Sequence, residues 1–93
     1  MKHLTLGIDV GSSSVKVAIA RSTAGDDAVL LATAVQRLRR RNAREVAHDA
    51  IAEACATAGL PVPAADGRPY DYVASTGEAE TLDGLTGHFY GMT

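Results

Sequence analysis

The sequence predicts an α/β fold in which three strands are followed by one helix and a fourth strand. Two kinds of periodicity support this prediction. Apolar residues alternate with polar or small ones over 15–20, and they recur at helical spacing over 46–58. The chain has 93 residues, of which 46% are hydrophobic and 22% charged, and these are ordinary values for one small globular domain.

The first three predicted strands form an antiparallel meander. Residues 4–9 and 15–20 are the first two strands, and the short Gly-Ser turn at 11–14 makes them a hairpin. Residues 22–27, with the sequence STAGDD, contain the turn-forming types Gly and Asp, so a second turn is expected there. A third strand over 28–35 then continues the meander.

The fourth predicted element is a helix with sequence signals at both ends. Asn42 followed by Glu45 has the spacing of an N-cap and capping box, and Gly59 with Pro61 ends the helix. The single cysteine lies on the apolar face between these signals, so we expect it to be a small buried hydrophobe. The residues of this stripe are Val46, Ala47, Ala50, Ile51, Ala54, Cys55 and Ala58.

A fourth strand is expected over 70–76, after a loop rich in proline and glycine. A helical crossover makes this strand parallel to another strand of the same sheet, and we expect that strand to be the first. Asp9 and the Thr76–Gly77 pair would then lie at the carboxyl ends of neighbouring parallel strands. Open α/β sheets bind their ligands at such ends.

Polar residues interrupt the apolar N-terminal segment in a pattern that suits phosphate chemistry. An isolated buried carboxylate costs several kcal/mol, so Asp9 is expected at the rim of the sheet, facing a cleft. Gly11 permits a tight turn, the amides of Ser12–Ser14 can form an anion-binding concavity, and Lys16 can reach back toward the same anion. A carboxylate beside phosphate requires an intervening Mg²⁺, so the cluster indicates a metal–nucleotide phosphate site.

Simpler alternatives stand beside these interpretations. A plain hairpin turn, with Lys16 facing solvent, would explain the same cluster, which matches neither the P-loop nor the dinucleotide fingerprint. The arginine-rich stretch 37–44 is either a solvated loop leading into the helix or a contact with phosphate or an acidic partner. Glu78 and Glu80 either orient water or Mg²⁺ or lie in a solvated loop, and His88 either has a functional role or packs against a following helix.

Composition and charge exclude several classes of function. The net charge of −2 gives no bulk attraction for nucleic acid or an anionic membrane, and no segment reaches the roughly 18 apolar residues of a membrane span. One cysteine cannot form an internal disulfide or a cysteine-based metal cage, which favours a cytoplasmic setting. The ending GLTGHFYGMT (84–93) has no polar tail, so we expect a piece of a longer protein.

The segment GIDVGSSSVKVAI (7–19) resembles the first phosphate motif of the actin, Hsp70 and sugar-kinase ATPase superfamily, which has a ribonuclease H-like fold. The β-β-β-α-β order agrees with the start of that domain. The resemblance implies that Asp9 holds Mg²⁺ mostly through water, that the amides of Gly11–Ser14 hold phosphate oxygens, and that Lys16 contacts the phosphates. It also implies that residues 1–93 are the N-terminal part of an actin-like ATPase domain whose second half and second domain are absent, and that this part alone is inactive.

The segment YDYVASTGEAETLDGLTGHFYGMT (70–93) narrows the resemblance. Together with the basic run before the helix, it is similar to the ATPase subunits of benzoyl-CoA reductases, in particular the shorter, delta-type subunit, which group with the activators of 2-hydroxyacyl-CoA dehydratases. Thr76-Gly77-Glu78 and the stretch 86–90 carry this part of the likeness. Ala79 departs from the family pattern, where a glycine is expected.

The resemblance implies ATP and Mg²⁺ as cofactors and a role in anaerobic aromatic degradation in the cytoplasm. In that family, ATP hydrolysis drives electrons from ferredoxin, through a 4Fe–4S cluster shared with a homologous ATPase subunit, to the reductase subunits that bind the aromatic acyl-CoA. The cluster cysteines are expected downstream of this sequence, and Cys55 matches none of them. A dehydratase activator, a sugar or small-molecule kinase, and a non-catalytic actin-like scaffold are the alternatives.

Overall fold

The computed structural model describes residues 2–23 and 28–77, which form one four-stranded sheet and one helix. The order of elements is the predicted one, β-β-β-α-β. Within these residues no helix is long and apolar enough to cross a membrane. The elements are β1 (Lys2–Val10), β2 (Ser14–Thr23), β3 (Val29–Arg37), α1 (Ala43–Ala58) and β4 (Tyr72–Gly77).

The strand order across the sheet is β3-β2-β1-β4. The first three strands are an antiparallel meander, and β4 pairs with β1 in parallel, from Thr5 opposite Tyr72 to Val10 opposite Gly77. The prediction that the fourth strand lies beside the first is therefore confirmed. Asp71 fixes the start of this pairing, because its amide donates to the Leu4 carbonyl at 2.8 Å and its carboxylate accepts from the Leu4 amide at 2.6 Å.

Helix α1 begins and ends where its sequence signals lie. The Asn42 side chain caps the first turn by accepting from the Arg44 amide at 2.8 Å. Gly59 ends the helix in the left-handed conformation with φ 70°, where a side chain would be strained. The Gly59 amide donates to Ala56 and the Leu60 amide to Cys55, which is the Schellman arrangement.

The core lies between α1 and one face of the sheet. Alternation along each strand buries Leu6, Ile8 and Val10 on β1 and Val15, Val17 and Ile19 on β2. The predicted helical stripe meets them, and six of its seven residues are buried, with Ala58 partly buried at the edge. The six are Val46, Ala47, Ala50, Ile51, Ala54 and Cys55.

The fourth strand starts two residues later than its sequence suggests. Tyr70 is buried but lies before β4, because its amide donates to the Gly67 carbonyl at 3.0 Å and so belongs to the preceding turn. Its hydroxyl donates to the Pro61 carbonyl at 2.9 Å and lies 3.1 Å from the Cys55 sulfur. Tyr70 therefore ties the loop after α1 to the helix.

Candidate phosphate-binding site

The carboxyl ends of β1 and β4 meet at one edge of the sheet. Asp9 lies opposite Thr76, and Val10 lies opposite Gly77. Ile8 and Val10 are buried on the helix side, so alternation puts Asp9 on the other face, where it is exposed. An exposed carboxylate at a strand end avoids the cost of burial and can reach a ligand from the rim.

Lys16 lies directly opposite Asp9 across the first hairpin. It is exposed between the buried residues Val15 and Val17, so its side chain shares the open face with Asp9. The two residues border a shallow concavity of about 540 Å³. Its floor is made largely of small side chains, including Gly7, Ala18, Thr33 and Ala74. The site thus combines a carboxylate and an ammonium group at the edge of an open, mostly apolar surface.

The hairpin tip is a tight turn closed by a backbone hydrogen bond. The Gly11 amide donates to the Ser14 carbonyl at 2.9 Å, and a Cβ at Gly11 would lie 3.3 Å from that oxygen. Glycine is therefore favoured here because any side chain would crowd the turn. Since the Gly11 amide is used inside the turn, it is not directed at a ligand. The resemblance had implied that this amide holds phosphate.

Ser12 and Ser13 are the exposed residues of the tip. Their amides have no backbone acceptor among residues 2–23 and 28–77, and Ser14 is partly buried at the start of β2. Successive amides in such a turn can bind an anion. The anion cradle expected from Gly11–Ser14 stays a prediction, with the Ser12 and Ser13 amides as its remaining donors and Gly11 as the residue that shapes the turn.

The arginine-rich segment 37–44 contacts the turn at Gly11–Ser14, here called the serine turn. The sequence did not indicate this contact. The Leu38 amide donates to the Ser13 carbonyl at 2.9 Å, and Arg37, the last residue of β3, pairs with Ser14. The sequence placed the end of this strand at residue 35. The two added residues, Gln36 and Arg37, continue the alternation of burial along β3, which the apolar but exposed Val35 conceals in the sequence.

Thr76 and Gly77 end β4 beside Asp9 and Val10, and this places the backbone of the pair at the same edge. The other candidates from the C-terminal segment lie outside the described residues, so their predicted roles stay predictions. They are Glu78, Ala79, Glu80 and the stretch 86–90 with His88.

Within residues 2–23 and 28–77, no three His, Cys, Asp or Glu side chains come together as a metal cage. Asp9 alone can still suit Mg²⁺, which is commonly bound through one or two carboxylates with waters and substrate phosphates in the other positions. Cys55 does not suit an iron–sulfur cluster, because it is 1% exposed inside the core and contacts the Tyr70 hydroxyl. It has the buried position that the helical stripe predicts.

The chain is similar in sequence to a known protein. No protein-family model matches the chain. Over 90 residues the chain is 42% identical to the D-type benzoyl-CoA reductase subunit of Thauera aromatica, an alignment that covers 97% of the chain. Nearly the whole length of the chain is therefore related to a part of this protein. The resemblance to the delta-type benzoyl-CoA reductase subunit is therefore confirmed. The chain spans about 30% of the length of its Thauera relative.

Proposed function

We propose that this chain is the nucleotide-binding part of an ATPase subunit that couples ATP hydrolysis to low-potential electron transfer for the reduction of an aromatic acyl-CoA. The observation that carries the nucleotide site is the placement of Asp9 and Lys16 opposite each other, on the exposed face beside the serine turn. The reaction class is supported by the identity of 42% to a benzoyl-CoA reductase subunit.

Each residue at the edge has a separate task in this proposal. Asp9, an exposed residue, holds Mg²⁺ mostly through water, and the Ser12 and Ser13 amides donate to phosphate oxygens. Lys16 neutralises phosphate charge from β2, and the paired carboxyl ends of β1 and β4 form the sheet edge at which the ligand binds. When bound, Mg²⁺ screens the repulsion between the Asp9 carboxylate and the phosphates.

The proposal extends to the architecture and partners of the complete protein. Residues 1–93 are the first part of an actin-like ATPase domain that closes on ATP with a second domain. The partners are a homologous ATPase subunit, the reductase subunits that bind acyl-CoA, and ferredoxin as electron donor, in the cytoplasm. No ligand of the 4Fe–4S cluster is proposed among the described residues, since their one cysteine is buried in the core.

The test is the Mg²⁺ dependence of ATP binding, measured by calorimetry on the complete protein in which this sequence occurs. The wild-type protein should bind ATP more tightly with Mg²⁺ than with a chelator present. Asp9→Asn keeps the size of the side chain and removes its charge, so this variant should lose most of the gain from Mg²⁺. Its affinity for ATP in chelator should be equal or higher, because the repulsion between carboxylate and phosphate is gone.

Glu45→Gln is the matched control. Glu45 is an exposed carboxylate in the first turn of α1, on the opposite side of the sheet from Asp9, so this variant should keep the full effect of Mg²⁺. If Asp9→Asn and Glu45→Gln respond to Mg²⁺ alike, or if the wild-type protein binds no ATP, the nucleotide site is not where we propose it.

A further inference from the structure

We infer that Arg37 and Arg39 form a second cationic wall of the proposed phosphate site, so that the site selects a polyphosphate chain over a single phosphate. The inference rests on the proposed function and deepens it by naming what the arginine-rich turn does. The first observation is a second concavity, of about 460 Å³, beside the serine turn. It is lined by Ser13, Ser14, Val35, Arg37 and Arg39.

Strand register places Arg37 on the same face as Lys16. Lys16 lies opposite Val35, and Ser14 lies opposite Arg37, so Lys16 and Arg37 are diagonal neighbours. Diagonal neighbours on one face are about 7–8 Å apart, within the combined reach of two long side chains. The two cations therefore approach the serine turn from adjacent strands. An anion between them would relieve their mutual repulsion.

Among residues 2–23 and 28–77, the charge of the arginine-rich stretch 37–44 is only partly compensated by ion pairs. Residues 37–44 contain five arginines and no acidic residue, although the whole chain has a net charge of −2. Arg41 is paired with Asp49 at 3.3 Å. Among residues 2–23 and 28–77, no carboxylate lies within ion-pair distance of Arg37 or Arg39, and both are exposed. A solvated helix entry would not need two such arginines beside the exposed residues Ser12 and Ser13.

Hydrogen bonds hold the arginine turn, residues 37–41, although Arg39 and Arg40 adopt an unfavourable backbone conformation there. Arg39 and Arg40 have φ 46° and φ 66°, a left-handed conformation that costs a non-glycine residue about 1–2 kcal/mol. The Arg41 guanidinium donates to the Arg37 carbonyl at 3.0 Å, and the Arg41 amide donates to the Leu38 carbonyl at 2.8 Å. These hydrogen bonds fix the backbone of Arg37 and Arg39 relative to the serine turn in the absence of a ligand.

A site in which two cations from adjacent strands approach one amide cradle suits a ligand with several linked phosphates. Lys16 and the Ser12 and Ser13 amides would bind one phosphoryl group, and Arg37 would bind a neighbouring one in the second concavity. A nucleoside diphosphate, a nucleoside triphosphate and inorganic tripolyphosphate all have the two neighbouring phosphoryl groups that this arrangement requires. A monophosphate cannot reach both walls at once, so it gains little from Arg37.

The test compares ATP, tripolyphosphate and AMP on the complete protein, by calorimetry at low and high salt. Arg37→Gln should weaken ATP and tripolyphosphate binding by about 5- to 20-fold at low salt, the loss of one exposed, charge-assisted contact, and by less at high salt. AMP affinity should change less than about 2-fold. Arg39→Gln should act in the same direction, and Arg37→Lys should keep part of the affinity because the charge remains.

Arg40→Gln is the matched control, because Arg40 is an exposed arginine of the same turn with a positive φ but does not line the concavity. If Arg37→Gln and Arg40→Gln weaken ATP equally while Lys16→Ala weakens it strongly, the second wall is wrong and the proposed function stands. If the wild-type protein binds tripolyphosphate through Arg37 but not ATP, the anion site stands and the nucleotide function falls. An equal loss of AMP and ATP affinity in Arg37→Gln overturns the selectivity for polyphosphate.

Discussion

Lys16→Ala separates a binding role for this lysine from a structural one. In the structure, Lys16 is exposed on β2, and the packing of that part of the strand is carried by Val15 and Val17, which are 0% and 2% exposed. No ion pair of Lys16 is found within residues 2–23 and 28–77. Truncation therefore removes no core contact, and the free energy of unfolding should change by no more than about 0.5 kcal/mol.

The expected effect on binding is much larger than the effect on folding. A hydrogen bond to a charged group contributes about 1.5–3 kcal/mol, which corresponds to a change in Kd of about 10- to 150-fold. Exposure to solvent and salt favours the lower part of this range. Urea unfolding measures the free energy of unfolding, and calorimetry with ATP and Mg²⁺ measures the Kd.

Arg21→Ala is the control for Lys16→Ala. Arg21 is an exposed cation near the opposite end of β2, where it pairs with Leu4 and Val29, so its loss should change neither quantity appreciably. A destabilisation of several kcal/mol in Lys16→Ala would show that the lysine is structural. An ATP affinity equal to that of Arg21→Ala would show that Lys16 does not contact the phosphates.

The remaining predictions concern the scaffold that positions the site, and chemical denaturation checks both of them. Asn42→Ala should lower the free energy of unfolding by about 1 kcal/mol, because the cap on the Arg44 amide is lost, and an unchanged stability would contradict the cap. Tyr70→Phe should cost about 1–3 kcal/mol, since it leaves the Pro61 carbonyl without its hydroxyl donor and removes the contact with Cys55. A stability change below about 0.5 kcal/mol in Tyr70→Phe would show that these contacts contribute nothing in solution.

The sheet and helix could be predicted because their signals are local or follow from chain topology. Alternation along 15–20 identified the buried face of β2, and the cap and glycine around α1 set the helix bounds to within a residue or two. The helical crossover predicted that β4 is parallel to another strand of the sheet, and the further expectation that this strand is β1 is confirmed. These three inferences together bring Asp9 to the edge where β4 ends.

The details of the site could not be predicted because they depend on register and backbone hydrogen bonds. The pairing of Ser14 with Arg37 is set by how two strands align, and nothing local in an arginine run reveals it. The Gly11 amide is similarly engaged by the geometry of the turn, although the sequence pattern suggested a ligand for it. The sequence pattern predicts that Tyr70 belongs to the fourth strand, but its amide donates to the Gly67 carbonyl of the preceding turn.

The central claim is that phosphate oxygens are held by the tip of the first hairpin. Amide chemical shifts measured by NMR during a titration of the complete protein with MgATP test it most directly. We predict that the Ser12 and Ser13 amides shift markedly, as expected for donors to an anion, and that Lys16→Ala moves their titration midpoints to higher ATP concentrations. If ATP binds while the Ser12 and Ser13 amides stay where they are in the free protein, the phosphates lie elsewhere and the account is contradicted.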